Sequence, residues 1–198
     1  MSKIMTDEKR LLKTAVIAAW ITLTVFLAFV LGLSAPWEKL MGHGLFASLA
    51  TTHGVFATLG VIIGSATGYL GWRLLLGHLK AYRDLRILAT ISSVLAFLAI
   101  ITGNWIYIAY RGPGGPREFF TNNFPEIHEI FFEFKEFIAL FILPIAVAAT
   151  FILWKYKDSL HLDENLRNAV GVLIAVGWTV LMIAFVLGAA ITKLMGVS

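Results

Sequence analysis

The sequence predicts an all-α fold: a polytopic membrane helical bundle of about five transmembrane helices, N-terminus inside and C-terminus outside. Three observations predict it. Of the 198 residues, 59% are hydrophobic and only 14% are charged, whereas a soluble domain carries about a quarter charged residues. The apolar residues gather into five runs, at about 15–33, 45–76, 88–110, 125–156 and 169–191. At about 1.5 Å per residue, each run is long enough for the ~30 Å hydrocarbon core of a bilayer. Lys and Arg, finally, are divided unevenly between the two sets of loops. Lys3, Lys9, Arg10, Lys13, Arg73, Lys80, Arg83, Arg86, Lys155, Lys157 and Arg167 fall on one side. Lys39, Arg111, Arg117, Lys135 and Lys193 fall on the other. The positive-inside rule places the richer side in the cytoplasm. The expectation is a multi-pass protein of the cell (plasma) membrane, with 1–198 a single membrane domain.

The first run follows Asp7, Glu8, Lys9, Arg10 and Lys13. A secretory signal has a shorter core of about 7–15 apolar residues. Ser34-Ala35 offers a small-residue cleavage point, but the run is long enough to span, so it reads as an uncleaved anchor. The second and third runs flank a basic loop. Between the third and fourth runs, Arg111-Gly-Pro-Gly-Gly-Pro116 is too rich in turn formers to be helical. Asn123 or Phe124 ends that segment. Pro125 then suits the first position of a helix, with Glu126 on the positive end of its dipole. Pro144 is expected to kink the fourth run. Lys193 follows just after the fifth run.

Composition narrows the chemistry. The chain has no cysteine. Disulfides, iron–sulfur clusters, thiolate metal sites and covalently attached c-type haem are therefore excluded. The net charge of +4 sits at helix ends, so it reports topology and gives no groove for nucleic acid. The segments at His43-Gly-Leu-Phe-Ala-Ser-Leu and His53-Gly-Val-Phe-Ala-Thr-Leu look alike. Their spacing is not a whole number of helical turns, so the two histidines face different ways, and the likeness is read as coincidence.

Ionisable groups at membrane depth are expensive and mark function by default. His53 and His128 lie at similar distances ahead of the inner ends of their helices, taken near Leu79 and Tyr156. That places two imidazoles at similar height on neighbouring helices that run the same way. Facing histidines in a bundle core are the usual holders of a b-type haem. Below His53, Ala57, Gly60, Gly64, Gly68 and Gly71 form a smooth stripe on the same face. A flat porphyrin needs such a face, and so does close packing of two membrane helices. Arg111 and Arg117 are candidates to pair with haem propionates, or equally with lipid phosphates or Glu118. His78 and His161 are the less favoured candidates for a second haem near the cytoplasmic face. His43, high in an outer loop, is a weaker ligand candidate.

The fourth run opens with Glu126, Glu129, Glu133 and Glu136, which fall within about one quarter of the circumference at about 100° per residue. His128 and Lys135 share the adjacent face. Glu133 and Glu136 are the candidate catalytic carboxylates, taking the proton from a quinol as its electron leaves. A solvated acidic face explains the same pattern, and is the preferred account of Glu126 and Glu129. Trp105, Tyr107 and Tyr110 read as an aromatic belt.

On His53, the stripe beneath it and His128, the chain resembles membrane b-type cytochromes of the bis-histidine helix-bundle kind. The likeness covers the second to fourth runs. It implies haem b, one or two, with His53 and His128 as axial ligands, and a quinone or a redox partner protein as the electron-exchange partner. It also implies a homo-oligomer or a subunit of a respiratory complex. Five helices and the dense glutamates depart from the usual four-helix form. Two other functions compete. One is a non-haem metal site of His53, His128, Glu129 and Glu133, although the Glu-x-x-His spacing of di-iron bundles is absent. The other is a non-redox anchor or transport subunit, although paired broken helices and long repeats are missing.

Overall fold

The computed structural model describes residues 45–197, except 79 and 81. The first apolar run, His43 and Lys39 lie outside the described residues. Among the described residues there is no strand. Five α-helices follow one another: α1 (Leu45–Leu75), α2 (Tyr82–Tyr110), α3 (Pro116–Asn123), α4 (Glu133–Lys155) and α5 (Glu164–Val197). A π-helical segment, Ile127–Phe132, leads directly into α4. Four stretches are long and apolar enough to cross a membrane: Ala47–Leu75, Tyr82–Tyr110, Ile127–Lys155 and Glu164–Leu194. The protein is a multi-pass membrane protein. Its large outward apolar side chains, such as Ile108, Phe137 and Phe151, need lipid as their solvent.

The ends of these helices follow from local chemistry. Gly77, at φ +79°, stops α1. Its N–H bonds the Leu74 carbonyl, and the His78 N–H bonds the Arg73 carbonyl, the pair of contacts that closes a helix on a left-handed glycine. α2 starts at Tyr82, well before the apolar run begins at Leu88. Its first turns carry Arg83, Asp84 and Arg86, and Arg86 lies over the rings of Tyr82 and Trp154, with its guanidinium carbon 5.1 Å and 4.7 Å away. Long cationic stems cover apolar surface in this way. Asp163 accepts a bond from the Leu166 N–H and so caps α5.

α3 corrects the expectation of an irregular segment up to Asn123. The glycine turn is present, with Gly114 at φ +67°, but Pro116 opens a helix. Proline has no N–H to lose at a first helical position and its φ is already right. Pro125 is again the first helical residue after Phe124, as the sequence suggested. Pro144 lies inside α4 without ending it.

The helices from Leu49 onward belong to one compact unit. Tyr82, Leu85, Ala89, Ala96, Thr102 and Tyr110 are buried along α2. Near the α1–α2 turn, Leu74, Leu85, Leu153, Leu160 and Val170 form the packed core. Small residues let helices approach. A Cβ on Gly64 would lie 2.7 Å from Leu181, one on Gly68 3.2 Å from Trp178, and one on Gly71 2.6 Å from Ile174. Leu75 in turn sits over Gly171. The lower part of the glycine stripe is thus a seat for α5, the close packing that small residues allow in lipid. Hydroxyl pairs tie α2 to its neighbours: Thr67 of α1 to Ser92, and Ser93 to Thr150 of α4, both at 3.0 Å.

Candidate functional site

The last turns of α2 carry Tyr107 and Tyr110, and Arg111 follows. α3 and the π segment fold back over them. In the π segment the Glu133 N–H reaches the His128 carbonyl, five residues back. Such widened turns occur often at functional sites. Here the widened turn holds His128, which is 5% exposed.

Both ring nitrogens of His128 are engaged. Nδ1 is 2.9 Å from the Tyr110 hydroxyl. Nε2 is 3.4 Å from Nε of Arg117. Arginine can only donate, so Nε2 accepts, and a neutral imidazole then keeps its proton on Nδ1 and donates it to Tyr110. Phe132 stacks on Tyr110 with ring centroids 4.4 Å apart and planes 5° apart. Tyr107 extends the stack at 6.1 Å from Tyr110. The Arg111 guanidinium lies 4.3 Å over the Tyr107 ring and donates to its hydroxyl. The Glu136 carboxylate is an electrostatic neighbour of Tyr107. Arg111 also comes within 4.0 Å of Glu133, but both side chains are about half exposed, so that contact adds little.

His53 lies on α1 and faces an earlier turn of α2. Its Nδ1 is 2.9 Å from the Ala99 carbonyl, so Nδ1 carries the proton, and Nε2 of the neutral ring keeps its lone pair. The ring rests on Gly103, where a Cβ would meet Cε1 at 3.3 Å. Among the described residues no atom lies within 4 Å of the Cβ position of Gly60, so the stripe nearest His53 meets no described side chain there, whereas its lower part is filled. Lys135, half-buried, acts electrostatically on His53. Its stem lies against Gly188, with Cε 3.3 Å from that Cβ position, and its Nζ is 5.8 Å from the Phe132 ring centre.

The two histidines bond to different turns of α2, one near Ala99 and Thr102, the other at Tyr110. Those positions are about 10 Å or more apart along the axis. Arg117 and Arg111 join His128 and Tyr107. Glu136 joins the cluster, Glu133 stands at its edge, and Glu126 and Glu129 are exposed. His78 is exposed after α1, and His161 contacts the edge of Tyr82 at 5.7 Å. Among the described residues no three His, Asp or Glu side chains gather as a metal site requires.

Tyr107 and Tyr110 were read from sequence only as interfacial aromatics, yet they bind the cluster together. Their spacing on one face next to Arg111 was the available signal. The π segment left none, because a count at 100° per residue assumes uniform turns. No known protein family, curated protein or solved structure matches the chain.

Proposed function

We propose that this chain is a b-type haem protein of the cell membrane that exchanges electrons with quinol near its outer face. One observation carries the reading: the bond from His53 Nδ1 to the Ala99 carbonyl. A histidine that ligates a metal almost always gives its other N–H to such an acceptor, which fixes the tautomer and aims the free lone pair. The stripe at Gly60, which no described side chain fills, supports it. A haem on His53 would supply the one-electron redox chemistry. Glu136, the electrostatic neighbour of Tyr107, is the carboxylate to take a proton from quinol. His128, occupied by Tyr110 and Arg117, belongs to this proton-handling cluster and not to the haem.

The visible spectrum of the purified protein, before and after dithionite, tests the reading. A sharp α band on reduction is expected, lost in His53→Ala and kept in His128→Ala. A colourless protein sinks it. A band lost equally in both variants restores the paired-histidine arrangement.

A further inference from the structure

Between the end of α2 and α3 lies a cavity of about 340 Å³, lined by Arg111, Gly112, Pro113, Arg117, Glu118 and Thr121. We propose that it binds a phosphate group. Each arginine is anchored by one edge. Arg117 gives its Nε–H to His128, and Arg111 gives one terminal nitrogen to the Tyr107 hydroxyl. A guanidinium has five N–H donors, so most remain for a ligand after these bonds. Two planar forks held at one wall suit bidentate contacts to phosphate oxygens.

The rest of the lining agrees. Glu118, the carboxylate of the cavity, accepts the Gly114 N–H at 3.2 Å, and this fixes the turn. The Thr121 hydroxyl donates back to its own helix, to the Arg117 carbonyl at 3.0 Å. It therefore presents an oxygen and no free proton, and leaves recognition to the arginines. The cavity begins where the apolar part of α2 ends, at headgroup level in a bilayer. The phosphate can come from an anionic lipid headgroup or from solution. Because the Arg117 anchor is His128, the bound anion would sit one side chain away from the buried cluster. The site does not depend on haem, and its test does not use colour.

Protein is reconstituted in nanodiscs of phosphatidylcholine alone, or with phosphatidylglycerol. Radiolabelled inorganic phosphate is titrated by equilibrium dialysis in the first, and retained lipid is weighed by native mass spectrometry in the second. Saturable phosphate binding identifies a soluble ligand, and selective phosphatidylglycerol retention identifies the headgroup. Either should weaken about tenfold or more in Arg117→Gln and in Arg111→Gln. Glu118→Gln keeps the acceptor for Gly114 and removes a negative charge, so it should tighten binding severalfold, a gain that damage to the fold would not give. Absence of both kinds of binding, or binding indifferent to all three variants, overturns the proposal.

Discussion

Near the α1–α2 turn, Leu74, Leu85, Leu153, Leu160 and Val170 are at most 1% exposed and touch other apolar chains. At the opposite end, Tyr110 and His128 are 2% and 5% exposed, yet beside the Phe132 ring they bond to each other and to a guanidinium. The first end is held by shape and the second by hydrogen bonds whose every buried member is paired. Dispersion contacts between packed chains survive in lipid, where the hydrophobic effect between helices does not. Stability is therefore expected to reside at the leucine end and chemistry at the arginine end.

That division can be broken by mutation. Leu153→Ala should cost about 2–5 kcal/mol, by the cavity it leaves, in equilibrium unfolding from mixed micelles. If it costs less than the polar-end variants, the division fails. Gly71→Leu forces a side chain into Ile174 and should cost about 1–3 kcal/mol, read the same way, with the α1–α5 contact loosened. Tyr110→Phe keeps the stack on Phe132 and deletes one hydrogen bond. A loss of about 1 kcal/mol is expected, together with faster modification of His128 by diethyl pyrocarbonate. Arg111→Gln should change thermal stability least, by about 0.5 kcal/mol or less, while phosphate binding drops.

Much of this plan was legible beforehand. The second to fifth apolar runs are all helices, because an unbroken apolar run of that length has no other stable form in lipid. Their charged ends were less visible. Hydropathy discards Arg83 and Arg86, whereas Arg86 is held between two aromatic rings. The levels of His53 and His128 were misjudged for a related reason. Counting back from Leu79 assumed that α1 continued there, but Gly77 ends it at Leu75, about one turn sooner. Gly77 itself was plain in the sequence. The link from Arg117 to His128 was not, since it depends on α3 turning back over the bundle.

The widened turn at Ile127–Phe132 has a consequence for how this chain can vary. One residue more or less in a helix rotates everything on one side of it by about 100°. A membrane span normally cannot absorb such a change, because its lipid-facing and packed sides would be exchanged. Here the added length is confined to a single turn, with His128 before the junction and Ala149 and Leu153 well after it. That turn therefore sets the phase between the two portions of the span. Deleting one residue from it should swing His128 off Tyr110 while Ala149 and Leu153 keep their packing.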